Sequence, residues 1–170
     1  INISASTFRE NKFKDRVNLV RSKINEIKIP FLYCNLVGAQ DELVFDGSSF
    51  ALDKNGNCIS HCKSFEEDIL YTDLASYSTK HIKYATKCED LFNALCLGIK
   101  DYFEKTKNKE AVIGLSGGID SAVVACIASY ALGNKSVYGV SMPSKFSSKH
   151  SKFDAEELAK NLNINYQSIS

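Results

Sequence analysis

The sequence predicts an α/β chain in two parts. Short β-like runs crowd the first 74 residues around one amphipathic helix, a polar stretch then breaks the pattern, and from Leu91 onward all-apolar strands alternate with helices. In order along the chain, INISA (1–5) alternates like a short strand. Phe13, Val17, Val20, Ile24 and Ile27 then recur at spacings of 4, 3, 4 and 3, one apolar helical stripe that Pro30 closes. FLYCNLV (31–37), ELVFD (42–46), SSFALD (48–53) and NCISHCK (57–63) are strand-like runs broken by turn residues, which suggests antiparallel hairpins. ASYSTKHIKYATK (75–87) is polar and aperiodic and reads as a linker between units 1–74 and 88–170.

Beyond the linker, Leu91, Leu95, Ile99 and Phe103 mark a helix, AVIGL (111–115) a strand, and IDSAVVACIASYAL a second helix closed by Gly133. SVYGVS (136–141) is the next strand. AEELAKNL follows as a helix with Asp154 as expected cap and Glu157 three residues on, and INYQSI starts a further strand. Alternation of this kind means βαβ units and a parallel sheet expected to be buried on both faces.

Composition narrows the function classes. With 44% hydrophobic and 24% charged residues, two prolines and nine glycines, the chain is neither disordered nor fibrous. Lys plus Arg number 21 against 20 acidic residues, and a net charge of +1 provides no global field for nucleic acid or an anionic membrane. No apolar run approaches the roughly 20 residues that span a bilayer and no signal-peptide pattern opens the chain, so the expectation is a cytoplasmic protein. Six cysteines without a CxxC pair read as reduced, mostly core thiols. Ile rather than Met at position 1 and a strand-like last segment read as a partial chain.

The chemistry is concentrated between strand AVIGL and the helix after it, at Ser116-Gly117-Gly118-Ile119-Asp120-Ser121. A glycine-rich turn at the carboxyl end of a parallel strand and the start of a helix is an anion site. Unpaired N–H groups of the first helical turn converge there, the helix dipole adds positive charge, and glycine lets an oxyanion reach the backbone. Ser116 and Ser121 add hydroxyl donors. No Lys-Ser/Thr follows as in a Walker A loop. Asp120 makes sense beside polyphosphate when it holds a bridging Mg²⁺, so Gly114, Leu115, Ser116, Gly117, Gly118, Ile119, Asp120 and Ser121 are the expected Mg-ATP site, with Asp120 the metal ligand.

GLSGGIDSA (114–122) resembles the pyrophosphate loop of N-type ATP pyrophosphatases, which split ATP between the α and β phosphates and adenylate a substrate. Within that group, MPSKFSSKHS (142–151) followed by FDAEELAKNLNI is similar to NAD synthetases, from about Leu91 onward. NISAS and YCNLVGAQDELVFDGSSF resemble the later half of the nitrilase-like glutaminase domain of glutamine-dependent NAD synthetases. The resemblance implies the end of a nitrilase-like α-β-β-α sandwich followed by the start of a Rossmann-like ATP pyrophosphatase domain. It further implies ATP, Mg²⁺, glutamine and deamido-NAD as cofactor and substrates, a carbon–nitrogen ligase reaction and a homo-oligomer.

By the same resemblance Ser6 and Lys12 match residues that hold glutamine, with Thr7 replacing a frequent proline, and Val140 to Met142 border the adenine. The glutaminase's Glu-Lys-Cys triad matches nothing here and falls upstream of Ile1, so no catalytic residue is assigned and the piece alone is expected to be inactive. Two other readings stay open: adenylation of a different substrate, and an inert nucleotide-binding remnant. Cys88-Glu89-Asp90 imitates the surroundings of the family nucleophile, but it opens a helix, where acidic residues favour the positive end. Cys58, His61 and Cys62 do not suggest zinc, because alternation sets Cys58 and Cys62 on one strand face and His61 on the other.

Overall fold

A computed structural model describes residues 1–74, 79–144 and 148–169; residues 75–78 of the expected linker and Lys145, Phe146 and Ser147 of the MPSKFSSKHS segment lie outside the described residues. The chain is α/β, with mixed and parallel sheets, and divides into two compact units, Ile1–Gly98 and Ile99–Ser170. No helix among the described residues is long and apolar enough to cross a membrane.

The first unit begins with β1 (Asn2–Ser4) and α1 (Lys12–Ile27), then β2 (Phe31–Asn35), β3 (Val37–Gln40), β4 (Leu43–Asp46), β5 (Phe50–Leu52) and β6 (Cys58–His61). One sheet has the order β1-β2-β5-β6, with β1 parallel to β2 and the other pairs antiparallel, while β3 and β4 form a separate hairpin. The expected run FLYCNLV is therefore two strands in two sheets. Leu36 breaks it: 49% exposed, it donates its N–H to Ser4 and accepts from Gly47, which turns the chain out of the first sheet. The α1 stripe buries Val17, Val20 and Ile24 against Phe50, Leu52 and Cys58. Ile27 is 49% exposed, and Lys28, at φ 56°, ends the helix two residues before Pro30.

A register shift in the β5–β6 pair corrects one strand reading. Leu52 lies opposite Cys58 and Ala51 opposite Ser60, so Ile59 is an inserted residue. Cys58 and His61 consequently share the face toward α1, where Cys58 joins the core and His61 stacks on Phe13 at 4.8 Å. Of the six thiols, none in a disulfide, only Cys58 and Cys96 are buried; Cys34 and Cys88 are exposed, so the cysteines are not mostly core residues.

α2 (Lys87–Thr106) crosses the division between the units, and β7 (Ala111–Gly114), α3 (Ile119–Leu132), β8 (Val137–Ser141), α4 (Lys149–Leu162) and β9 (Asn165–Ser168) follow. The second unit's sheet is parallel, in the order β7-β8-β9. Its core joins Leu115, Val137 and Ile164 to Ala125 and Ala128 of α3 and Ala155 and Ala159 of α4, small side chains that let helix backbones approach the sheet. The expected burial of both faces does not hold within this unit, since α3 and α4 cover one face and Val112 is 74% exposed. Nor does Asp154 cap α4: the helix starts earlier, with Ser148 as cap accepting from the Ser151 N–H at 3.0 Å. The first six residues of α4, 149 to 154, precede the apolar repeat that begins at Ala155, which is why the pattern alone began the helix late.

Ile24, fully buried, and Leu19, 63% exposed on the same helix, make a matched pair. Ile24→Ala is expected to cost about 2–5 kcal/mol in equilibrium urea unfolding, and Leu19→Ala no more than about 0.5 kcal/mol.

Candidate functional site

β7 ends at Gly114, and Leu115 ties the following turn to the sheet by donating its N–H to Val140 at 2.8 Å and burying its side chain. The turn then closes on itself through hydroxyls. Ser121 Oγ donates to the Gly118 carbonyl at 2.9 Å, so its single hydrogen is spent, and in the 3.1 Å contact between the two hydroxyls Ser116 must donate. The Gly118 N–H donates to Ser116 Oγ at 3.2 Å and the Ser116 N–H to Ser121 Oγ at 3.3 Å. Gly118 caps α3 in an extended conformation, without a side-chain cap. The first N–H groups of α3, lacking acceptors within the helix, remain available to an anion.

Gly117 shows why glycine stands here. At φ +79° it adopts a conformation that side chains rarely take, and a β-carbon would lie 2.3 Å from the Ser151 carbonyl oxygen and 2.7 Å from its Cα. The first turn of α4 therefore rests directly against the loop. Gly139 plays the companion part on β8, where a β-carbon would meet Leu115 Cδ1 at 2.5 Å.

Beside this loop an open cleft of about 270 Å³ brings together Gly114, Leu115 and Ser116 with Val140, Ser141 and Met142, and Lys152 joins its wall. Of the expected nucleotide residues, Gly117, Gly118, Ile119, Asp120 and Ser121 are not among its lining. Asp120 stands exposed in the first turn of α3. Its carboxylate suits a Mg²⁺ that takes its remaining ligands from phosphate oxygens and water, as Mg²⁺ commonly does. Among the described residues no three His, Cys, Asp or Glu side chains converge to cage a metal by themselves.

In the first unit, Lys12 opens α1 and lines a second cavity, of about 250 Å³, with Asp46, Ser48, Ser64, Lys83 and Asp90. Burial, then Asp46 and Glu89, push the Asp90 carboxyl above its ordinary range. Ser6 is not part of that lining; its backbone is held instead by Asn35. Asp46 pairs with Arg16, both almost fully buried. Arg16 Nε and Nη1 have no hydrogen-bond partner among the described residues, and its guanidinium lies 5.8 Å from the ring centroids of Phe13 and Tyr33. Burial lowers the proton affinity of His61, which packs beside them.

The segment Cys88-Glu89-Asp90 does what helix starts do. Thr86 accepts from the Glu89 N–H at 3.3 Å, and Glu89 Oε2 accepts from the Thr86 N–H at 2.7 Å, a reciprocal capping box.

The family model described as NAD synthase matches residues 91–170. The glutamine-dependent NAD(+) synthetase of Synechocystis sp. is 43% identical over 99% of this chain, and that of Thermotoga maritima 37% identical over 96%. Residues 91–170 thus match the NAD synthase family, and over nearly its whole length the chain is similar to glutamine-dependent NAD(+) synthetases. It spans only 31% and 35% of those two relatives' lengths. A solved family structure, the synthetase of Acinetobacter baumannii in complex with adenosine diphosphate, superposes with a TM-score of 0.89 at 30% identity, covering 96% of this chain and 32% of its own.

Sequence reasoning located the loop but missed Gly139 and Ser151, which shape and brace it, and, in the first unit, the Thr86 cap and the network of Asn35, Asp46 and Arg16. Gly139 and Ser151 act through space, Thr86 lies outside the apolar pattern of α2, and Asn35, Asp46 and Arg16 are scattered over three elements. The pairing of Thr86 with Glu89 at capping-box spacing was the one local signal available.

Gly117→Ala is expected to destabilise the protein by at least about 1–3 kcal/mol through backbone strain and collision, and to accelerate amide hydrogen exchange across residues 116–122. The Glu89 carboxyl is held below its ordinary value of 4.5, first by the Thr86 N–H and then by the Thr86 side chain. Its contribution to stability is therefore complete above about pH 4.5 and lost as pH falls through the lower folded-state value. Acid titration of melting temperature should accordingly show a shallower loss in this window for Glu89→Gln than for the parent.

Proposed function

We propose that the full-length protein containing this chain makes NAD, adenylating the nicotinate carboxylate of deamido-NAD with ATP and amidating it with ammonia released from glutamine. The observation that carries the reading is the hydroxyl-closed turn Ser116–Ser121 at the mouth of the cleft at Gly114, a place where backbone donors gather toward an anion. The carboxylate attacks the α-phosphorus of ATP and pyrophosphate departs. Backbone N–H groups at Gly117 and at Ile119 to Ser121 balance charge as it develops on the leaving oxygens. Ammonia then attacks the acyl carbon and AMP leaves. Val140 to Met142 border the adenine, and Asp120 would hold a Mg²⁺, which would screen the phosphate charges.

In this reading residues 1–74 belong to a nitrilase-like glutaminase domain, 75–87 to a linker and 88–170 to a Rossmann-like ATP pyrophosphatase domain. Ser6 and Lys12 hold glutamine, the ammonium and hydroxyl suiting its α-carboxylate. The protein works in the cytoplasm as a homo-oligomer.

The test is ATP–pyrophosphate exchange in the full-length protein. Exchange should depend on deamido-NAD, and Asp120→Ala should lower it roughly a hundredfold or more. Full exchange by that variant, or exchange driven by another carboxylic acid and not by deamido-NAD, would overturn the assignment.

A further inference from the structure

We propose that Asn35 is a positioning residue for glutamine recognition, fixing the backbone of Ser6 under the control of the buried Arg16–Asp46 pair; its role rests on the reading of Ser6 and Lys12 as glutamine contacts. β1 and β2 run parallel with Ser4 opposite Asn35, so Asn35 closes β2 where the chain leaves β1 toward Ser6. There its side chain takes over from the ladder. The Ser6 N–H donates to Asn35 Oδ1 at 2.8 Å, and Asn35 Nδ2 donates to the Ser6 carbonyl at 3.2 Å. The amide thus imitates one more peptide of the neighbouring strand.

What decides its orientation is Asp46. Asn35 Nδ2 sends a hydrogen bond to Asp46 Oδ1 at 3.3 Å, while Arg16 Nη2 donates to Asp46 Oδ2. A carboxylate paired in this way only accepts, so the amide must turn its NH₂ toward Asp46 and its oxygen toward the Ser6 N–H. The Asn35 backbone N–H donates to Ser49 Oγ at 3.0 Å, which fixes the residue from a third side. Asp46 also lines the cavity that Lys12 lines, and Arg16 sits one helical turn after Lys12 on α1. One network therefore holds both expected glutamine contacts: Ser6 through Asn35, and the turn bearing Lys12 through Arg16.

Asn35→Asp keeps the shape and inverts the chemistry, because an oxygen replaces the NH₂ that faces two acceptors. The experiment measures kcat/KM with glutamine and with ammonium chloride as nitrogen source in the full-length protein, since ammonium bypasses glutamine binding. In Asn35→Asp the glutamine-to-ammonium ratio should fall about tenfold or more, through the KM for glutamine. Asn35→Ala, which removes the bonds without repulsion, repeats the measurement should Asn35→Asp not fold. Ser6→Ala tests the underlying reading. If Ser6→Ala lowers the ratio and the Asn35 variants do not, or if the Asn35 variants lower both activities in equal proportion, the positioning role is overturned and the glutamine reading stands. If Ser6→Ala leaves the ratio untouched, the glutamine reading fails and the proposal falls with it.

Discussion

No β-carbon fits at Gly117, and the second unit is arranged around that fact. The Ser151 backbone occupies the space a side chain would need, so the glycine-rich turn and the first turn of α4 meet backbone to backbone. Leu115 anchors the turn from beneath, and it can do so because Gly139 leaves room on β8. The hydroxyl ring of Ser116 and Ser121 then closes the turn from within. Preorganisation of this sort is what an anion site requires, since donors already aimed need no reorganisation when charge arrives.

The first unit uses a different brace. Arg16 and Asp46 are both about nine-tenths removed from solvent or more, and such a pair is weak evidence for stability, because desolvation offsets most of the attraction. Its consequence is directional. With Asp46 committed to accepting, Asn35 has one usable orientation, and the backbone beyond β1 inherits it. The aromatic faces of Phe13 and Tyr33 lie against the rest of the guanidinium and supply favourable contact where hydrogen-bond acceptors are lacking.

The elements legible in the sequence were those whose cause is local. The α1 stripe, the turn at Ser116–Ser121 and the C-terminal cap at Gly133 follow from spacing and from residue type at neighbouring positions. Where the reading went astray, the deciding partner was distant in sequence. The run at 31–37 divides because Leu36 bonds to Ser4 and Gly47 on other segments. Cys58 and His61 share a face because an inserted residue opposite β5 shifts the alternation. α4 is the exception, with a local cause: it begins at Lys149 because Ser148 caps it, ahead of the first apolar repeat.

By itself the sequence determined where the loop lies: two glycines, two hydroxyls and one carboxylate stand between a strand and a helix, the setting in which we propose that an anion is held. It also determined the alternation of strands and helices, because burial on a sheet or helix face imposes periods of two or about 3.6 residues. Only the tertiary structure decided that Ser151 presses on Gly117, that Asp46 governs Asn35 and that Lys12 shares a cavity with Asp46. Those contacts join residues 11 to 34 positions apart, and no local propensity encodes them. They exist because close packing leaves most buried polar groups few places in which their hydrogens and lone pairs can be matched.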